Sequence, residues 1–491
     1  MFFLTLLVFL SLFVITFLAY FKWSFTYWKR KGVPYLEPTI PTGNLRVNFK
    51  KSESQFDFWL RVYKETKAKG LNHIGLYMFT NLQYAPFDIE VIHNILYKDF
   101  NYFDDRGLYY NEKDNPLTAH LVALKGKKWN NTRKKLTPVF TSKKIKMIFN
   151  IICANTDQFI DYVGDRCKEG PVDISKAIGL LVINVTGSSA FGLDCNTFED
   201  ASSEIAKNVR NAIVMSKFEF FKMIFGIQSP RIAQFLRLDY MSKDVSNFFS
   251  TLVKDTVNYR KTNQVSRDDF MQMLINLMDS NEFTIEEVMA QAFLFFVGGF
   301  ETITHTATFT LYELCRNVDI QSKLREEVCQ ILSKNNGKIT YENLGEMQYM
   351  DEVISEALRM YPTVPIITRK CVKDYKVSKL DIVIEKDTFV VIPTVGLHYD
   401  PEYFHNPYTF DPSRFSDENN IKPTTYLPFG SGPRNCIGKR FGLLVVKSVL
   451  AVLLKNYEFS LVDGFKGPLK FNATHLILTL DEILWLNLKK L

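Results

Sequence analysis

The stretch Phe429-Gly-Ser-Gly-Pro-Arg-Asn-Cys-Ile-Gly438 sets one cysteine, Cys436, into a glycine-rich loop two residues after Arg434. Gly430, Gly432 and Gly438 carry no Cβ, so the backbone admits a flat or bulky group at close range. A thiolate stays deprotonated when positive charge or N–H groups lie nearby, and Arg434 with the amides of the turn supplies both. These requirements fit a sulfur ligand to haem iron, where hydrogen bonds to the sulfur tune its electron donation. A plain buried cysteine beside a turn needs none of them.

The rest of the chain is built to hold such a loop. Its 491 residues are ample for a buried core, and 42 Phe with 23 Tyr favour apolar cavities as well as packing. The net charge of +7 is modest and its basic residues are dispersed, which argues against a nucleic-acid partner. Seven cysteines, with no Cys-x-x-Cys pair, make neither a disulfide framework nor a zinc site.

Phe2 to Phe21 is an uncharged, apolar run of 20 residues, enough for a helix of roughly 30 Å and one membrane span. Lys22, Lys29, Arg30 and Lys31 follow among Trp23, Tyr27 and Trp28, which places the later chain on the cytosolic side. No charge leads the run and no small-residue cleavage site ends it, so it reads as an uncleaved anchor. Residues 1–21 are thus expected to anchor, 22–45 to form a basic, proline-rich linker, and 46–491 to form one body. In a cytosolic body the Asn-x-Ser/Thr matches at Asn130, Asn184 and Asn472 are chance.

Short strands are predicted at His73–Thr80 and Gln83–Phe87 and a helix over Ile89–Tyr97. Helical spacing follows over Asp173–Phe191 and Asp268–Asp279. A long central helix runs from Thr284, whose capping box with Glu287 starts it, to about Cys315. Inside that helix, Gly298-Gly299-Phe300-Glu301-Thr302 is locally unfavourable, since each interior glycine costs about 1 kcal/mol against alanine. Either a close-approaching ligand or a packing notch between helices would offset it. The Thr302 hydroxyl can bond the Gly298 carbonyl, and Glu301 is an acid in an apolar stretch that needs a partner or a function. His305 stands four residues after Glu301, a spacing that permits a hydrogen bond or ion pair, with a core histidine as the alternative.

The complete Phe-x-x-Gly-x-Arg-x-Cys-x-Gly pattern from Phe429 to Gly438 resembles the haem-binding loop of the cytochrome P450 family. Gly298 to Thr302 resembles that family's oxygen-activation site, and Glu356-Ala-Leu-Arg359 with Asp411-Pro-Ser-Arg414-Phe415 resembles its Glu-x-x-Arg and Pro-x-Arg-Phe elements. The phenylalanine-rich run into the glycine pair and Tyr109–His120 look most like insect microsomal, xenobiotic-metabolising members.

The resemblance implies a mainly α fold with a small β region, enclosing one haem b, behind a transmembrane anchor. It implies Cys436 as the iron's thiolate ligand, with Phe429, Gly430 and Gly438 shaping the loop. Trp129, Arg133, Arg369 and Arg434 would bind the propionates, and Glu356, Arg359 and Arg414 would form a buried structural triad. Glu301 and Thr302 would relay protons. The implied activity is monooxygenation of apolar small molecules at the endoplasmic reticulum membrane, with NADPH-cytochrome P450 reductase and cytochrome b5 as redox partners. Lys127, Lys128, Lys134, Lys135, Lys439 and Arg440 would make the basic docking face. Phe218, Phe220, Phe221, Phe293, Phe296, Val364, Ile366 and His475 to Ile477 are expected near the substrate.

Overall fold

Helices dominate and strands are few in the structure, a computed structural model that describes residues 1–45, 53–417, 421–465 and 467–491. The boundary expected between residues 45 and 46 borders 46–52, which lie outside the described residues. The chain divides into two compact units whose pieces alternate along the sequence. One comprises Met1–Gly107, Pro365–His405 and Pro423–Arg434, and the other Leu108–Val364, Asn406–Lys422 and Asn435–Leu491.

In the first unit the apolar run forms the helix Phe2–Ser24, long and apolar enough to cross a membrane, with its side chains exposed as far as Tyr20. The linker after it is laid along a strand. Trp28 is buried against Gly75, where any Cβ would fall 2.5 Å from the indole. The Trp28 indole N–H donates to the Leu76 carbonyl at 3.0 Å, and the Leu36 amide donates to the Gly75 carbonyl at 3.1 Å. Asn44 closes the connection, donating to Leu36 and Glu37 carbonyls and accepting from the Tyr77 amide at 2.8 Å.

The sheet of this unit runs, in order across it, His73–Met78, Asn81–Pro86, Phe389–Ile392 and Ile367–Lys370. Asn81–Pro86 pairs parallel with Phe389–Ile392, which pairs antiparallel with Ile367–Lys370 so that Arg369 lies opposite Val390. The helix expected over Ile89–Tyr97 is α-helical through His93 and widens into a π-helical turn over Asn94–Lys98.

The second unit is organised on the central helix Ile285–Arg316, and the Thr284–Glu287 capping box is present in both directions. From Val288 to Phe293 and again from Ile303 to Cys315 it is buried throughout. Against it lie Ile174–Phe191, itself a buried core helix started by Asp173, and Lys439–Asn456, which follows the cysteine loop. Gly299 is a packing notch, since a Cβ there would meet the Thr186 methyl at 3.3 Å. Gly298 has no such neighbour beyond Leu294 of its own helix at 3.6 Å. The two glycines therefore answer different demands.

Phe293 and Phe296 belong to an aromatic core with Phe249 and Phe191, whereas Phe218 and Phe221 are exposed. Asn184 is buried and accepts from Thr197, so it offers no acceptor for a glycan in the folded chain.

Candidate functional site

The cysteine loop straddles the two units, through Arg434 in the first and from Asn435 in the second. In the first unit, Gly430 and Gly432 have φ of 66° and 71°, a region costly for residues with a Cβ. At Gly432 a Cβ would also stand 2.0 Å from the Leu96 carbonyl oxygen in the π-helical turn. Tyr97 of that turn shares a hydrogen bond with Ser431. Phe429 is half-buried. His398 holds the start of the loop, its Nε2 accepting from the Leu427 amide at 2.9 Å, which puts the ring proton of the neutral form on Nδ1.

The same unit gathers three guanidiniums. Arg369 and Arg434 are buried, and Arg106 donates to the Arg434 carbonyl at 2.8 Å. Burial holds Arg369 well below the ordinary arginine range, and the charges acting on it, Arg106 and Arg434, push it the same way. Its Nε is buried with no hydrogen-bond partner among the described residues. A buried cation surrounded by its own sign requires an anion. Sequence reasoning missed Arg106, which beside Asp104 and Asp105 reads as ordinary surface charge; a backbone bridge between Asp105 and Lys370 brings it there.

In the second unit Cys436 is exposed, three residues before the helix Lys439–Asn456. Gly438 has an ordinary φ of −88°, and a Cβ there would meet nothing within 4 Å, so space rather than backbone conformation distinguishes it. Trp129 is buried and Arg133 half-buried on the helix Gly126–Leu136. Arg133 donates to the Asn435 carbonyl at 3.0 Å and to its Oδ1 at 2.8 Å, and burial lowers its guanidinium while Cys436 acts the other way. Within the first unit the buried Arg369, with its unpartnered Nε, fits a carboxylate, and within the second the exposed Cys436 follows a residue that Arg133 holds.

Glu356, Arg359 and Arg414 meet as expected. Arg359 and Glu356 are fully buried and paired twice, Nε to Oε2 at 2.7 Å and a second guanidinium nitrogen to Oε1 at 2.8 Å. Oε1 also accepts from the Asp411 amide at 3.0 Å and Arg414 Nε at 3.3 Å. Of the expected basic face, Lys128 pairs with Glu112 at 2.6 Å and Lys135 bonds the Glu282 carbonyl, while Lys134, Lys439 and Arg440 are exposed.

On the central helix the Thr302 hydroxyl donates to the Gly298 carbonyl at 2.9 Å. Thr304, Thr306, Thr308 and Thr310 repeat the bond to the carbonyl four residues back. Glu301 is buried, and burial alone raises its carboxyl to about 7. The partnership with His305 is not made: no hydrogen bond joins them among the described residues. His305 Nδ1 is unpartnered, and burial, with His475 adding to it, lowers the imidazole to about 4. His475 Nδ1 lies 3.9 Å from Oε1. Sequence spacing offered His305 because four residues along a helix are visible; a neighbour from the far end of the chain is not.

A buried arginine with an unpartnered Nε and an exposed cysteine in a glycine-rich loop fit an enzyme with an anionic, thiolate-bound cofactor. The cytochrome P450 family model matches residues 47–486, and the chain belongs to that family of monooxygenases. Its cofactor is haem b, bound through a cysteine thiolate. The chain is 38% identical over 488 residues to "Probable cytochrome P450 6a14" of Drosophila melanogaster, covering 95% of this chain and 96% of that one. It is 36% identical over 491 residues to "Cytochrome P450 6a2" of the same fly, covering 96% and 97%. With "Cytochrome P450 6k1" of Blattella germanica it shares 34% over 497 residues, covering 96% and 94%. The family implies a redox partner, usually a reductase, and small-molecule substrates.

Proposed function

We propose that this enzyme inserts one oxygen atom of O₂ into apolar small molecules, xenobiotics such as plant toxins and insecticides or endogenous hormones and lipids. Electrons come from NADPH through a membrane-bound reductase, with cytochrome b5 as a second donor, at the cytosolic face of the endoplasmic reticulum. The observation that carries the site reading is the exposed Cys436, directly after Asn435, which Arg133 holds through two hydrogen bonds, and ahead of a long helix, with the space at Gly438. A thiolate-bound haem supplies oxygen activation, its sulfur donating electron density that favours O–O cleavage. Cys436 would be that ligand, and Trp129, Arg133, Arg369 and Arg434 would hold the haem carboxylates.

Thr302, anchored on the Gly298 carbonyl, and Glu301, held near neutrality by burial, move protons in the matched pKa range that such transfer needs. The apolar helix Phe2–Ser24, followed by Lys29, Arg30 and Lys31, supports membrane attachment with the later chain cytosolic.

The test is turnover with NADPH and purified reductase under ¹⁸O₂, using a panel of plant terpenoids as probes and reading their hydroxylated products. One labelled oxygen per product is expected, lost in Cys436→Ser. Product carrying oxygen from water, or made equally by Cys436→Ser, overturns the reading.

A further inference from the structure

The second unit contains a cavity of about 300 Å³, at the lower end of the range for small-molecule sites. Lys176, Gly179, Leu180 and Ile183 line it from the helix Ile174–Phe191, at a spacing that puts them on one stripe about 10 Å long. The stripe starts at the exposed Lys176 and ends at Leu180 and Ile183, which are buried, so the depth of the cavity is apolar. Phe300 and Thr304 line it from the central helix, and a Cβ on Gly179 would meet the Phe300 ring at 3.5 Å, an ordinary contact. Glu301 and His305 complete that wall, whereas Gly298 and Thr302 do not line the cavity.

The rim differs from the depth. Asp173, Lys176, Arg210 and Glu482 bring charge of both signs to it, and no ion pair joins any two of them among the described residues. Asp173 accepts from the Lys176 amide at 3.0 Å, Glu482 from the Lys470 amide at 3.4 Å, and Arg210 donates to the Ala201 carbonyl. Beside them Ile483 is 54% exposed, and Trp485, which pairs with Asp173 across two strands, is 41% exposed. Large apolar side chains left in water at the mouth of a cavity suit the apolar surface of a ligand. An ion of either sign would give up its hydration to meet attraction and repulsion together, which offset. A hydroxyl or carbonyl loses far less on entry, and finds donors in Lys176 and Arg210 and acceptors in Asp173 and Glu482.

We propose that this cavity is a binding site for an uncharged, oxygen-bearing lipophile of terpenoid size, its carbon skeleton along Gly179, Leu180 and Ile183 and its oxygen at the charged rim. The site uses no oxygen chemistry, so it stands apart from the monooxygenation reading. Its occupant packs against the flank of the central helix that carries Phe300 and Thr304, and stabilises the folded chain by linkage.

Trp485 reports on the rim, and its emission is the difference between the wild type and Trp485→Phe. Haem-loaded, full-length protein in lipid nanodiscs is titrated with geraniol under saturating imidazole, which keeps the iron occupied. A saturable change in the Trp485 emission is expected. Gly179→Leu and Ser175→Phe, which fill the cavity from its depth and its rim, should each weaken the affinity about tenfold. Geranic acid and geranylamine present the same skeleton with a negative or a positive head, and each should bind about tenfold more weakly than geraniol. Absence of a Trp485-dependent change in the wild type, or unaltered affinity in both filled variants, overturns the site. A charged analogue that binds as tightly as geraniol overturns the ligand class. If Gly179→Leu fails to take up haem, Ser175→Phe decides alone.

Discussion

Replacing Glu356 by glutamine changes almost no volume and removes one charge from the most buried ion cluster of the second unit. The carboxylate accepts from Arg359 at 2.7 and 2.8 Å, from the Asp411 amide at 3.0 Å and from Arg414 at 3.3 Å. Its loss leaves Arg359 fully buried with the Thr409 carbonyl at 3.5 Å among its acceptors. Hydrogen bonds to charged groups contribute about 1.5–3 kcal/mol each, and breaking a buried pair by removing one partner costs about 3–5 kcal/mol. Two strong bonds and an uncompensated guanidinium place Glu356→Gln near about 4 kcal/mol, a large share of the roughly 5–15 kcal/mol that holds a native chain. Arg414 is partly exposed and adds little.

Urea unfolding of the haem-loaded protein, followed by the haem band and by tryptophan fluorescence, measures the loss where the two probes coincide. The double variant Glu356→Leu with Arg359→Met should be less damaging than Glu356→Gln, because it removes both buried charges together. A loss below about 1 kcal/mol in Glu356→Gln, or a double variant as costly as the two single changes summed, would refute the argument.

Cys436→Ser should abolish the long-wavelength Soret band of the reduced carbonyl complex, since a hydroxyl is no soft thiolate donor; a normal band would remove Cys436 as the ligand. Deleting residues 1–20 should release the protein from membranes without loss of haem, whereas Trp28→Ala, emptying the site beside Gly75, should destabilise by about 3–5 kcal/mol in a urea titration. Reversing charge at Lys134, Lys439 and Arg440 should slow reductase-driven turnover and flatten its salt dependence while sparing peroxide-driven turnover; equal losses in both assays would assign these residues to folding. Burial raises Glu301 from 4.5 to about 7, so its stabilising contribution is complete below the unfolded value and is lost as pH rises through about 7. Glu301→Gln should accordingly gain on the native chain by about 2–3 kcal/mol in denaturation midpoints between about pH 5 and about pH 8, and a pH-independent difference would contradict the burial argument.

What the sequence discloses about this molecule depends on whether the cause is local. The capping box at Thr284, the Thr302 bond to Gly298 and the Glu356–Arg359 pair involve residues three or four apart, and each is found where spacing places it. The cysteine loop is legible because its motif is continuous, and the family match confirms the cofactor it implies. Arg106 and His398 are not legible, and His475, expected near the substrate, is not legible as a neighbour of Glu301. Each acquires its role from a partner more than a hundred residues away or from the far side of a sheet or loop, and nothing in their neighbours marks them. The two-unit arrangement is hidden for a related reason, since three separated segments build each unit and no linker interrupts the composition. The glycine pair was ambiguous in sequence and divides in structure, Gly299 to packing and Gly298 to the flank shared with Thr302.

Charge compensation separates scaffold from site in this chain. Where a buried ion serves the fold it is matched: Arg260 with Asp269 at 2.8 Å, Lys447 with Asp351 at 2.8 Å, Arg359 with Glu356. Among the described residues Arg369 and Glu301 depart from this, one a cation among cations with an unpartnered Nε, the other an acid with an unpartnered Oε2. Each destabilises the chain as it stands, and each is relieved by something from outside it, a carboxylate for the first and a proton for the second. Binding that neutralises Arg369 must therefore stabilise the folded state by linkage, and the same reasoning makes Glu301 sensitive to whatever controls access of water to it. The unfavourable electrostatics of these two residues thus fall where the cofactor and the protons are expected to arrive, and the matched pairs serve the fold.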